Sequence, residues 1–306
     1  MKFTLLFSLL LTACAPGFAA EAPVNRYAAT IAPVEKFDSG VLAVEKHGTK
    51  GRPLILIPGL ASGAWAWQNV VRDLARDYTI YVVTLPGFDG RPFAAGDGIE
   101  KARAGLRTLI ASRQLDHPVL IGHSMGATLS YAVAEDLPEA IGGIVAIDGL
   151  PVFPGTEQMA PAQRAAMAAG MQAQLSSVDP AAFARQQQSY MRTTGVLDMA
   201  QADQLALLTS KSDPVAVGAY VAGVLGLDLR DRLATITAPI LLLAPYYGQD
   251  PMDARWTADA KVAYYQSLLA GAPHVQVRPV PDARHFIMFD QPQVLNQVLR
   301  TYLQAL

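Results

Sequence analysis

The sequence predicts an α/β protein: a mostly parallel central sheet flanked by helices and interrupted once by an all-helical insertion. Three observations carry this expectation. Short apolar runs rich in Ile, Leu and Val recur along the chain, bounded by Gly and Pro, which is the pattern of strands buried on both faces. Helical stretches separate these runs, and strand–helix alternation implies parallel strands joined by right-handed crossovers. The interval 151–232 breaks the rhythm, with no convincing strand but many Ala, Gln, Met and Leu residues.

Composition sets the outer limits. The chain has 306 residues, of which 51% are hydrophobic and 16% charged. That is enough apolar surface to offset the entropy of folding, so a largely disordered chain is excluded. The length suits one large domain or two small ones. A formal net charge of −2, with no long basic run, leaves no electrostatic footprint for nucleic acid. The single Cys rules out an intrachain disulfide and a cysteine-built metal site. The five His residues (His47, His117, His123, His274, His285) lack metal-binding spacing. No cofactor or metal is expected.

Residues 1–20 read as a targeting segment. Met1 and Lys2 form a short basic start, and residues 3–11 are an apolar run, too short for the roughly 20 residues a membrane span needs but suited to a signal peptide. Leu11-Thr12-Ala13-Cys14 resembles the lipobox of bacterial lipoproteins, in which Cys14 is lipidated; Pro16 to Ala20 offers an ordinary small-residue cleavage region instead. The position of the chain's only Cys favours the lipobox. Either route implies export from a bacterial cytoplasm, to the periplasm or to a membrane anchored through Cys14.

The remaining chain divides into a core, 25–150 and 233–306, and an insertion, 151–232. Runs 34–37 and 41–46 flank Asp38-Ser39-Gly40 as an opening hairpin. Strands are expected at 54–57, 79–83, 119–121, 143–147, 240–243 and 275–280, and helices near 64–76, 99–114, 125–137, 257–270 and 292–304. A long insertion on such a sheet usually covers the ligand end, so 151–232 is expected to be a lid. Its Met159, Met167, Met171, Met191 and Met199 suit an adaptable apolar pocket or simple helix packing. It carries no fixed charged anchor, although Arg164, Arg185 and Arg192 are available to an acidic group.

The chemistry centres on Gly122-His123-Ser124-Met125-Gly126. This is G-x-S-x-G between an expected strand and an expected helix, the setting of a nucleophile elbow. The glycines permit close approach of strand and helix, and the helix start brings backbone N–H groups near the Ser hydroxyl.

From 34 to 306 the sequence resembles the α/β-hydrolase superfamily of serine hydrolases. Leu54-Ile55-Leu56-Ile57-Pro58-Gly59-Leu60 is similar to the strand and turn that carry the first oxyanion donor, with Pro58 where members usually have His. The resemblance implies that the N–H groups of Leu60 and Met125 form the oxyanion hole. Trp65 and Trp67 resemble the aromatic end of that loop and are expected to pack. Leu85-Pro86-Gly87-Phe88 resembles the turn after the next strand.

A serine needs a base. Asp282-Ala283-Arg284-His285-Phe286 resembles the family's histidine loop, so His285 is the expected base. Two residues compete as the acid. Asp250, in Gly248-Gln249-Asp250-Pro251, is in the loop most members use but stands about two residues late. Asp148 ends the strand 143–147, where a minority of the family places its acid, and meets that position without a gap. Spacing favours Asp148, the usual placement favours Asp250, and Asp253 is a third candidate. The expected function is a cofactor-free exported serine hydrolase acting on a small-molecule carboxylic ester with an apolar portion. Amidase, lactonase and carbon–carbon hydrolase chemistry share the machinery, and a low-turnover binding protein or a structural lipoprotein are rivals.

Overall fold

The computed structural model describes residues 27, 30–93, 95–250 and 256–306. The expected signal segment, Cys14 and Asp253 lie outside the described residues.

The chain opens with the hairpin β1 (Glu35–Ser39) and β2 (Leu42–His47), turning at Gly40, whose φ of +57° falls in the left-handed region. The core continues through β3 (Pro53–Ile57), α1 (Gln68–Leu74), β4 (Thr79–Thr84), α2 (Gly98–Ser112), β5 (Val119–His123), α3 (Met125–Asp136) and β6 (Gly143–Ile147). After the insertion come β7 (Ile240–Tyr246), α8 (Ala258–Leu268), β8 (Val275–Pro281), the short α9 (Ile287–Asp290) and α10 (Pro292–Ala305). The expected helix at 64–76 is a short 3₁₀ turn, Ala64–Trp67, running into α1.

The eight strands form one sheet in the order β1-β2-β4-β3-β5-β6-β7-β8. The β1–β2 and β2–β4 pairs are antiparallel and all others are parallel. Strand periodicity decides the layers. In β3, Leu54 and Leu56 face Trp67, Val71, Leu74 and Leu299, whereas Ile55 and Ile57 face the side built by Leu106, Leu109, Leu129 and Val133. Thus α1 and α10 cover one face, and α2, α3 and α8 the other. Helix α10 shows the local logic: Pro292 begins it, and Leu295, Val298, Leu299 and Leu303 form its buried stripe.

Between β6 and β7 lie α4 (Pro161–Ser176), α5 (Pro180–Tyr190), a π turn at Met191–Gly195, α6 (Met199–Thr209), α7 (Pro214–Gly226) and a 3₁₀ turn at Arg230–Thr235. Asp179, Asp198 and Asp213 cap α5, α6 and α7 through side-chain bonds to Ala182, Gln201 and Val215 amides. The chain enters and leaves this segment through a narrow stem, the bridge Val152–Asp228 and the bond from Leu229 N–H to Pro151 O (3.0 Å). Among the described residues no helix is long and apolar enough to cross a membrane.

Candidate active site

The site sits at the carboxyl ends of the central strands, where open α/β sheets bind ligands. Ser124 occupies the turn from β5 to α3 with φ +54° and ψ −123°, a conformation that L-residues seldom adopt. Packing holds it there. A Cβ on Gly122 would lie 2.3 Å from Gly126 O, one on Gly126 2.2 Å from Ile57 O, and one on Gly149 2.3 Å from Ser124 O. The Ser124 N–H donates to Ile147 O at 2.9 Å, extending the β5–β6 ladder into the turn. Ser124 O accepts from Ala127 N–H at 2.9 Å, which starts the helix. Among the described residues neither the Leu60 nor the Met125 N–H finds an acceptor in the protein, and both residues line the cavity above Ser124.

His285 lies on the loop between β8 and α9. Its Nδ1 is 2.5 Å from Asp148 Oδ2. The other Asp148 oxygen accepts from the Tyr265 phenol at 2.7 Å. Asp148 has φ +47°, and its own N–H donates to Leu243 O at 3.0 Å, fixing the residue at the end of β6. Burial pushes its carboxyl up, but the bond from His285, the charges of His285 and Lys261 and the Tyr265 hydroxyl outweigh it, and the group rests below the ordinary carboxylate range. His123, the residue before the serine, is fully buried, which lowers its pKa to about 3 and keeps it neutral. Its Nε2 donates to His285 O at 3.0 Å; a carbonyl only accepts, so the proton is on Nε2.

The two candidate acids are therefore separated. Asp148 meets His285, whereas Asp250 faces Arg284, accepting its Nε–H at 2.8 Å and a second guanidinium N–H. Strand β7 continues through Tyr246, and the loop after it gives Asp250 to the Arg284 guanidinium. Arg284 also donates to Arg192 O and Val196 O, and Asp290 accepts from the Arg284 and Leu197 amides. With His285 N–H on Thr194 O and Phe286 N–H on Gly195 O, the histidine loop is laced to the π turn of the insertion.

Above Ser124 and His285 lies a cavity of about 700 Å³. Leu150, Val152 and Phe153 form part of its wall, with Met171 and Leu175 from α4 and Val217, Val221 and Val224 from α7. Gln186, Gln187, Tyr190 and Thr194 supply most of its uncharged polar groups. Asp148 and His285, already engaged with each other, are its only charged-type side chains apart from the neutral His123 among the described residues. Of the five insertion methionines, Met171 and Met191 line it, while Met167 and Met199 are exposed. The arginines do not reach it: Arg164 pairs with Asp228 at 3.2 Å, Arg192 pairs with Asp203, and Arg185 is exposed. Trp65 and Trp67 are buried packing groups. A separate surface cleft of about 520 Å³ at Arg52, Gln114 and His117 lies at the opposite strand ends and contains none of these groups. Tyr265 and Arg284 escape a reading of the sequence, because each meets its carboxylate only through tertiary packing.

The family model described as "Alpha/beta hydrolase family" matches residues 54–298. The chain belongs to the alpha/beta hydrolase family. It is 25% identical over 260 residues to the biotin biosynthesis bifunctional protein BioHC of Cellvibrio japonicus, covering 83% of this chain and 48% of that one. It is 31% identical over 123 residues to a 2-succinyl-6-hydroxy-2,4-cyclohexadiene-1-carboxylate synthase of Escherichia coli, covering 40% of this chain and 48% of that one. These alignments thus span about half the length of the curated relatives. A pimeloyl-[acyl-carrier protein] methyl ester esterase of Pectobacterium carotovorum is 21% identical, covering 85% of this chain and 98% of that one. Among solved structures, a thermophilic esterase of Thermogutta terrifontis superposes with a TM-score of 0.71 at 19% identity, covering 89% of this chain and 98% of that one.

Proposed function

We propose that the protein is a serine ester hydrolase in which Ser124 is the nucleophile, His285 the general base and acid, and Asp148 the group that orients His285. The observation that carries this reading is the 2.5 Å contact of Asp148 with His285 Nδ1, beside a serine held at φ +54° on the same cavity. With Nδ1 engaged, Nε2 is the basic nitrogen. Ser124 Oγ attacks the ester carbonyl carbon and its proton passes to Nε2. The Leu60 and Met125 N–H groups receive the oxyanion. The carbon–oxygen bond to the alcohol then breaks, the alcohol takes the proton from Nε2, and an acyl-Ser124 remains. Water, deprotonated by His285, attacks that acyl carbon, releasing the acid and restoring Ser124. The partnership of Asp148 stabilises the imidazolium in both steps.

The wall of aliphatic and aromatic side chains supports neutral, small or medium apolar esters as substrates. The relative named as a methyl ester esterase supports ester chemistry without fixing its substrate. The helices at 161–226, which wall the cavity, act as its lid in this reading. Export through residues 1–20, with Cys14 as the lipid anchor, completes it. The N-terminal sequence of the mature protein tests that part: cleavage before Cys14 with partition into detergent supports the anchor, and a soluble chain starting near Ala20 overturns it. For the chemistry, the folded protein is treated with a fluorophosphonate probe and with p-nitrophenyl esters of graded acyl length. Labelling of Ser124 and turnover that both vanish in Ser124→Ala support the reading; full turnover in Ser124→Ala defeats it.

A further inference from the structure

We propose that Tyr265 is a positioning residue for Asp148: its phenol holds Oδ1 while His285 Nδ1 holds Oδ2, so that the carboxylate cannot turn and the imidazole keeps one tautomer and one pitch. The inference rests on the reading of Ser124, His285 and Asp148 given above. An aspartate rotates broadly about its last side-chain bond. A carboxylate gripped by one oxygen can therefore present either lone pair to its histidine. Here the 2.7 Å bond from Tyr265 and the 2.5 Å contact with His285 occupy different oxygens of one group. The backbone beneath is fixed as well, at φ +47° with its N–H on Leu243 O.

The support comes from a distant element. Tyr265 lies on α8, the crossover between β7 and β8, and is 8% exposed, so its phenol is buried against the acid. Lys261, one turn earlier on the same face, places its ammonium 5.9 Å from the Tyr265 ring. The neighbouring Tyr264 donates to Glu157, near the entry of the insertion. Helix α8 is thus pinned on two sides, and its tyrosine reaches the acid as a rigid strut. The loop after β7, by contrast, is committed to the Asp250–Arg284 pair.

The test is a double-mutant cycle between Tyr265→Phe and Asp148→Asn in the full chain, read as kcat, KM and the pH profile of kcat/KM on one neutral ester. Tyr265→Phe should lower kcat about tenfold, the effect of losing a hydrogen bond to a charged group, with KM within about twofold and little change in melting temperature. A carboxylate that has lost a donor holds the His285 proton more strongly. The base must be neutral to act, so the acidic limb of the profile moves to higher pH. His123, Tyr190 and Lys261, the other titratable groups facing this pair, are unchanged in the variant. In Asp148→Asn the added Tyr265→Phe change should cost less than about twofold, because the two act as a unit. An unshifted limb with an unchanged kcat, or losses that simply multiply, overturns the proposal while leaving the triad standing. A wild-type rate in Asp148→Asn overturns the triad reading and the proposal with it. Proton NMR of the unmutated protein gives a readout independent of any variant: a slowly exchanging Tyr265 hydroxyl close to the His285 Nδ1 proton is expected, and its absence counts against the strut.

Discussion

Asp148 and His285, 137 residues apart in sequence, meet at 2.5 Å, while Asp250, in the loop nearer to the usual acid position, meets Arg284 instead. The two aspartates should therefore fail in different ways when replaced. Asp148→Asn should lower kcat by several orders of magnitude, up to about 10⁴, with the fold retained, because the wrong imidazole tautomer is then favoured. Asp250→Asn breaks a largely buried ion pair, so its main effect should be a lower melting temperature, on the order of 3 kcal/mol of stability, with kcat within about tenfold. Paired rate and melting measurements check both. A reversal of the two patterns would return the acid to the loop after β7.

Two glycines should respond in opposite directions. Gly126→Ala drives a methyl to 2.2 Å from Ile57 O and 2.8 Å from Pro58 O, backbone atoms that cannot yield without moving β3. It should cost about 2–4 kcal/mol, or abolish accumulation of folded protein. Gly170 lies in the exposed face of α4 with nothing within 4 Å of an added Cβ. Gly170→Ala should stabilise by about 0.5–1 kcal/mol through helix propensity alone. Thermal melts of the pair decide the point.

The fold and the heart of the site are legible in the sequence because they rest on local rules. All eight strands lie where the apolar runs predict them, and Gly122 to Gly126 announces the turn at Ser124. What escapes is set at a distance. Strand β7 runs to Tyr246, three residues past the expected end, and Asp250 beyond it pairs with Arg284. The Tyr265 hydroxyl reaches Asp148 across 117 residues. The arginines of the insertion offer themselves to an acidic substrate in the sequence, yet Asp228 and Asp203 occupy two of them away from the cavity. Asp-Pro at 179–180 and 213–214, and Asp198 before Met199, each mark a helix start inside the insertion by a local rule.

The cavity should discriminate by acyl length. Each buried methylene gains about 0.8 kcal/mol, so kcat/KM should rise roughly three- to fourfold per carbon until the wall is reached. Val221 lines the cavity from α7. Val221→Trp should move the optimum to shorter chains, leaving acetate ester turnover nearly unchanged. A panel of p-nitrophenyl esters measures it, and an optimum that stays fixed in the variant would show that acyl chains bind elsewhere.

Glu135 predicts a pH-dependent stability unrelated to turnover. It lies in the last turn of α3, it is 4% exposed, and its Oε1 finds no partner among the described residues. Burial pushes its carboxyl up to about 7 against an ordinary 4.5, although the charges of Arg232 and Arg103 oppose the rise. The sign follows from linkage: the folded state binds this proton more tightly than the unfolded one. The resulting stability is fully present below about pH 4.5 and is lost as pH rises through 7. Arg232, 3.8 Å away, compensates only partly for the charged form. Glu135→Gln keeps the shape and removes the ionisation. Relative to the unmutated protein it should therefore gain stability with rising pH between about 5 and 8, by up to about 3 kcal/mol, the free energy of a shift of this size. Below pH 4.5 the difference between the two should no longer vary with pH. Urea titrations at four pH values measure this directly, and a difference that stays constant from pH 5 to 8 would show that Glu135 is charged throughout.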